Sequence, residues 1–235
     1  MTDLIHAIQS YLKGAEQCIC ITGSGGKTTA MILLAKDYAA SNKRVLLSTT
    51  TKLEHPEIRD YQCDYYFADC DSALAHTPKQ GERVFFAIRG AEKSLAPPLS
   101  IIQRLLKRYD VVLLEADGAA KKGLKLHTEK DPVVPDYTTA TIAILSFSLL
   151  GESLKQACHG AEHVSEQIIN LDTYVLLLEH SEGVQKSMKG RPLILCNQAE
   201  TADRNDIEQL AQRFFFLPLW FGSLTTNMLI QRNMP

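Results

Sequence analysis

The sequence has little excess charge and no long apolar run. Its 25 Lys plus Arg stand against 27 Asp plus Glu, a formal net charge of −2 over 235 residues. A binder working on nucleic acid by bulk electrostatics carries a basic excess or a basic stripe, so that class is set aside. The most apolar stretch, Thr139 to Leu150, is about half the roughly 20 residues that span a bilayer, and it includes Thr139, Thr141, Ser146 and Ser148. It reads as a core strand. The first residues, MTDLIHAIQSYLKGAE, offer no basic flank followed by an apolar run, so neither a signal nor a transit peptide is expected and the protein is placed in the cytoplasm. Six cysteines without a C-x-x-C pair exclude a disulfide scaffold and a thioredoxin-like or zinc-ribbon arrangement. Cys18 and Cys20 are expected to share one strand face as packed core thiols.

What is present is an alternation of helix and strand. Leu4, Ile5, Ile8, Tyr11 and Leu12 mark an amphipathic helix, followed by a strand at Cys18 to Thr22 and a helix at Thr28 to Ala40. Further strands are predicted at Arg44 to Thr49, Tyr65 to Ala68, Arg83 to Ile88 and Val111 to Leu114, with a helix at about Ser100 to Arg108. The second half adds strands at Thr141 to Phe147, Leu193 to Cys196 and Phe214 to Leu217, and helices at Ser165 to Glu179 and Ala202 to Arg213. The strand runs are nearly all apolar, as a parallel sheet covered on both faces requires. The reading is one α/β domain over residues 1–235, doubly wound and mainly parallel like the P-loop NTPases, with a small helical insertion at 150–191.

The strongest chemical signal is Gly23-Ser24-Gly25-Gly26-Lys27-Thr28-Thr29, set between a strand and a helix. Glycines let successive N–H groups point at phosphate oxygens, and the helix N-terminus adds positive potential. Lys27 can bridge terminal phosphates and Thr28 can hold magnesium, so the loop predicts Mg2+ with ATP or GTP. The common spacing G-x4-G-K-[ST] asks for glycine at position 21, where this chain has Ile21; the loop is a shorter form. A nucleoside triphosphatase also needs a carboxylate at the end of a neighbouring strand. Val111 to Gly118 supplies Glu115 and Asp117, one for the metal and one for water, in either order. Lys27, Glu115 and Asp117 are therefore the catalytic candidates, and Thr28, Glu115 and Asp117 the metal candidates.

Two runs follow other predicted strands. Thr49-Thr50-Thr51-Lys52 offers hydroxyls and a cation to phosphate or substrate, and Cys196-Asn197-Gln198-Ala199-Glu200 stands where guanine-binding proteins carry N-K-x-D. Gln198 and Glu200 depart from that pattern, which leaves Asn197 and Glu200 as base readers or as helix caps. Lys121, Lys122, Lys125 and His127 follow the Glu115 strand, so they are expected to project over the phosphates or over an anionic second substrate. His159 and His163, in a helix-like stretch, would share a face.

Taken together, ITGSGGKTT, STTTK, LLEADGAAKKGLKLHTEKDPVVPDYTT and CNQAE resemble the YqeC family of selenium-dependent molybdenum hydroxylase accessory proteins. The resemblance spans about Cys18 to Glu200 and is most specific from Glu115 to Pro135. It implies a cytoplasmic nucleotide-binding factor in selenium cofactor maturation, with a molybdenum hydroxylase or cofactor-maturation proteins as partners. By position it implies a nucleotide loop at Gly23 to Thr29 and functional positions at Lys52, Glu115, Asp117, Lys121 and Lys125. The doubled Ala119-Ala120 lets Lys121 or Lys122 take the first basic place. The loop and the E-A-D run also resemble amide ligases of the cell-wall Mur type, which are much longer because separate domains bind the acyl acceptor. The expected function is Mg-dependent hydrolysis or transfer of a terminal phosphoryl group. Its rivals are a nucleotide-gated binding module without turnover and a small-molecule kinase or ligase.

Overall fold

A computed structural model describes residues 2–118, 122–161 and 167–235. Its first half contains β1 (Thr2–Asp3), α1 (Leu4–Leu12), β2 (Cys18–Gly23), α2 (Lys27–Ala40), β3 (Val45–Thr49), β4 (Tyr65–Phe67) and α3 (Cys70–Ala75). Next come β5 (Arg83–Phe86), β6 (Ile88–Arg89), β7 (Ser94–Leu95), α4 (Leu99–Leu105), β8 (Val111–Glu115) and β9 (Leu124–Lys125). The remainder is β10 (Ala140–Ser146), α5 (Leu154–Ala157), β11 (Cys158–His159), α6 (Leu171–Glu179), β12 (Arg191–Asn197), α7 (Arg204–Arg213), β13 (Leu219–Ser223) and β14 (Met228–Asn233).

Ten strands form one sheet in the order β1-β14-β13-β12-β10-β2-β8-β3-β5-β4. Pairing is parallel from β13 to β4; β14 alone among these strands is reversed, so its pairs with β13 and β1 are antiparallel. Successive side chains of a strand point to opposite faces, so each central strand feeds two cores. Ile19, Ile21, Leu113 and Ile142 pack with α1 and α2 on one face. On the other, Cys18, Cys20, Val112 and Leu114 pack with α3 and α4, while Ala143, Leu145 and Ile194 pack with α6 and α7. Each fully buried Leu or Ile contributes about 1.5–3 kcal/mol. This is the doubly wound, mainly parallel α/β architecture the apolar strands predict.

Several boundaries differ from the sequence reading, each for a local reason. The aromatic run from Phe214 is not a strand: Phe214 caps α7, Phe215 and Phe216 are exposed, and pairing begins at Leu219, just after Pro218, which has no N–H to give a ladder. The antiparallel β13–β14 pair, with its mixed pattern of half-buried residues in β14, carries too weak a period to be read. Of the helix predicted from Ser165, residues 165 and 166 lie outside the described residues, and α6 begins at Leu171, where Asn170 accepts from Thr173 N in a capping box. His159 lies in β11 paired with Lys125, not in a helix, and His163 falls outside the described residues. Cys18 and Cys20 are buried thiols of one core, as expected.

Candidate functional site

The glycine loop is clamped between three strands. Gly23 ends β2 at φ +88°, and a Cβ there would stand 2.1 Å from the Ile144 carbonyl oxygen of β10. Only glycine permits that approach. Its N–H donates to Asp117 Oδ2 at 2.8 Å, beyond the end of β8. Ser24 N–H donates to Ile144 O at 2.7 Å and its hydroxyl to Gly123 O at 2.8 Å. The Ser24 N–H and hydroxyl are therefore both taken up inside the protein. At Gly26, φ is 137° and a Cβ would meet Asn197 Nδ2 at 2.6 Å. From there α2 begins, leaving the N–H groups of its first turn without carbonyl partners and adding its positive end.

Lys27, Thr28, Glu115 and Asp117 converge at that helix end. The Lys27 ammonium donates to Gly23 O at 2.7 Å and lies 3.2 Å from Asp117 Oδ1 and 3.9 Å from Glu115 Oε1. Thr28 Oγ1 donates to Glu115 Oε2 at 2.7 Å. The two carboxylates differ in kind. Strand β8 stops at Glu115, and Asp117, two residues on, meets the same Lys27 ammonium. Glu115 borders an open cleft, and burial pushes its pKa up against the opposing pull of Lys27 and Thr28. Asp117 is wholly buried. Burial works against its charge, but the His127 hydrogen bond, with Lys27 and Lys125, outweighs it and holds the carboxyl below the usual range.

Two of the basic residues after β8, Lys125 and His127, face inward. Lys125, expected over the phosphates, has its ammonium 3.5 Å from Asp117 Oδ2, pairs with Asp131 and donates to Gly118 O; it is 3% exposed. His127 donates or accepts at Asp117 Oδ2 through Nε2 at 2.7 Å and at Gly183 O through Nδ1 at 2.9 Å. Neither projects over the cleft, because the buried Asp117 charge draws both. Lys122 lines the cleft with its ammonium 3.0 Å from the carbonyls of Lys155 and Cys158. Lys121 lies outside the described residues.

Asn197 is a brace rather than a free reader of a base. Its amide donates to Gly25 O at 2.7 Å and accepts from Leu224 N at 2.9 Å, with the residue 4% exposed. Glu200 is exposed. Thr49 and Thr50 spend their hydroxyls on the carbonyls of Glu115 and Val133, while Lys52 is exposed on the cleft.

The cleft, about 720 Å3, opens at the carboxyl ends of β2, β3 and β8, where ligands enter open α/β sheets. Gly25 to Thr29, Lys52 and Glu115 line it together. It also includes Arg59, Tyr61 and Lys93, which the sequence reading missed. Arg59 Nη2 lies 3.4 Å from Thr29 Oγ1. No motif marks these residues; they enter because the strap 52–62 folds back along the cleft, anchored by paired bonds of 2.9 Å between Leu53 and Ser94. A second, more apolar cavity of about 430 Å3 is walled by His55, Phe67 and Phe85.

Among the described residues, no cluster of three or more His, Cys, Asp or Glu could hold a metal alone, and no helix is long and apolar enough to cross a membrane. One carboxylate beside one hydroxyl suits a hard cation that takes its other ligands from phosphate and water.

Fold and cleft define a class: a doubly wound, mainly parallel α/β protein, consistent with a P-loop-like fold, whose glycine loop joins its central strand to a helix. Within that class the family is shown. The sequence model of the YqeC protein family matches residues 19–162, and the chain belongs to that family. A relative from Escherichia coli named "Uncharacterized protein YqeC" is 26% identical over 236 residues, covering 92% of this chain and 90% of its own. No solved structure matches.

Proposed function

We propose that this protein binds a nucleoside triphosphate with Mg2+ on the loop Gly23 to Thr29 and acts on its terminal phosphoryl group. One observation carries the reading: Lys27 and Thr28, at the head of α2, both meet Glu115 at the end of β8, with Thr28 Oγ1 2.7 Å from its carboxylate. Thr28 and Glu115 would hold the magnesium, which supplies charge neutralisation at the phosphates. The N–H groups from Gly25 onward bind phosphate oxygens, Lys27 neutralises the terminal ones, and Asp117 positions Lys27 and the Gly23 N–H. Asp117 is thus assigned to positioning and Glu115 to the metal.

A nucleotide-gated module is the second reading. It is favoured by the chain of contacts from Gly23 through Asp117 and His127 to Gly183, which ties the loop to a distant segment. The YqeC resemblance supplies the proposed setting, selenium cofactor maturation for a molybdenum hydroxylase, with that enzyme or its maturation proteins as client.

Calorimetric titration with ATP, GTP and their non-hydrolysable analogues, with and without Mg2+, tests the site. Micromolar, Mg-dependent binding that falls by about 100-fold in Lys27→Ala is expected. Absence of binding to either nucleotide overturns the reading. Turnover lost in Glu115→Gln favours the enzyme, and tight binding without turnover in the presence of client favours the module.

A further inference from the structure

The cleft holds more positive charge than the proposed nucleotide loop accounts for. Among the described residues, five cationic side chains line it against two carboxylates, in a chain whose net charge is −2. Lys27 is committed to Gly23 O and to the carboxylates of β8, and Lys122 to two carbonyls. Lys52, Arg59 and Lys93 remain. Among the described residues none of the three has a carboxylate at ion-pair distance. Three like charges lining one concavity repel each other and raise the local concentration of anions.

Their backbone is fixed in advance. Lys52 precedes and Lys93 precedes the two partners of the Leu53–Ser94 bridge, whose N–H and C=O groups exchange bonds of 2.9 Å. Tyr61, two residues beyond Arg59, stacks on Phe85 at 4.1 Å and donates its hydroxyl to Glu54 O at 2.9 Å. Arg59 itself reaches Thr29 Oγ1 in the first turn of α2, so it borders the loop directly. An oxyanion therefore meets cations carried on two bridged segments, at little ordering cost to the backbone. The planar fork of Arg59 with two ammonium groups lining the same cleft suits a dianion of the phosphate type better than a single carboxylate.

We propose that Lys52, Arg59 and Lys93 form a second oxyanion subsite beside the glycine loop, which takes the phosphate group of a small anionic second ligand. The subsite rests on the nucleotide reading only for what occupies the loop. It names the class of second substrate for that reading.

Inorganic phosphate is the probe, titrated into protein saturated with Mg2+ and the β,γ-imido analogue of ATP or GTP and followed by backbone amide resonances. The expected result is saturable phosphate binding with a dissociation constant on the order of millimolar, weakened about tenfold or more in both Arg59→Ala and Lys93→Ala. Phosphate that binds only when the analogue is absent, or equally to both variants, overturns the subsite. Should the analogue itself fail to bind, the nucleotide reading falls and the ligand-free protein decides the subsite. Phosphate binding lost in Lys93→Ala but kept in Lys27→Ala then upholds it, and loss in Lys27→Ala alone overturns it.

Discussion

Two residues apart, Glu115 at the end of β8 and Asp117 just beyond it stand in opposite surroundings. Glu115 borders the open cleft and accepts from one hydroxyl; Asp117 is sealed among Lys27, Lys125, His127 and the Gly23 N–H. The difference shows how one short segment builds both a working edge and its support. A carboxylate with an open side can exchange partners when a ligand arrives. One with its partners buried around it fixes the loop's shape and cannot leave without stranding them.

Removing the sealed side is expected to cost most. Asp117→Ala leaves the Gly23 N–H without its acceptor and takes a buried counter-charge from the Lys27 and Lys125 ammonium groups, and should destabilise the fold by about 3–5 kcal/mol, read as a shifted urea midpoint. A midpoint within about 1 kcal/mol of the parent would mean the network is ornamental and the comparison false.

Acid should find the same asymmetry. The folded pKa of Asp117 lies below its ordinary value, and those of Asp131 and Asp110, held by Lys125 and Arg44, fall to about 2. An unfolded Asp titrates near 3.9, so the stability these groups contribute is present above about pH 4 and lost as pH falls toward about 2. Glu115 acts with the opposite sign: its raised value means that protonation on acidification favours the folded state. The urea midpoint should not fall from about pH 7 to 5, where Glu115 protonation adds stability, and should drop steeply below about 4, with a shallower drop in Asp117→Asn. The same acid drop in parent and variant would remove Asp117 from the account.

Between the two sides stands Asn197. Its replacement by Ala frees Gly25 O and the buried Leu224 N–H, and should cost about 1–3 kcal/mol by the same urea measurement. Nucleotide affinity should fall alongside, with the ratio of ATP to GTP binding unchanged. A changed ratio would restore the base-reading role that the brace geometry argues against.

The sheet and the loop were legible because their signals are local. Apolar runs at Val111 and Ala140 mark buried strands, and Gly23 to Thr29 carries its own geometry. What stayed hidden depends on the return of the chain. Arg59 and Lys93 join the cleft only because Leu53 and Ser94 pair across 41 positions, which no period or motif announces. Lys125 and His127 look like solvated basic residues in a loop until the burial of Asp117 draws them in. Charge on a sequence says which groups seek partners; only the fold says which partners are near.

The smallest effect on the fold is expected at the open side, and there the comparison is sharpest. Glu115→Gln keeps the shape and an oxygen to accept from Thr28 Oγ1, while it relieves a carboxylate whose charge burial already disfavours. Losing the distant attraction to Lys27, 3.9 Å away, offsets that relief, so the urea midpoint should move by less than about 1 kcal/mol in either direction. Ligand chemistry should not be spared: a neutral amide is a poor ligand for a hard cation, and the Mg-dependent part of nucleotide affinity should fall by about tenfold or more. A variant stable to urea yet blind to magnesium would separate the working edge of β8 from its support. If Glu115→Gln instead unfolds as readily as Asp117→Ala, both carboxylates belong to the support, and the metal position assigned to Glu115 is lost.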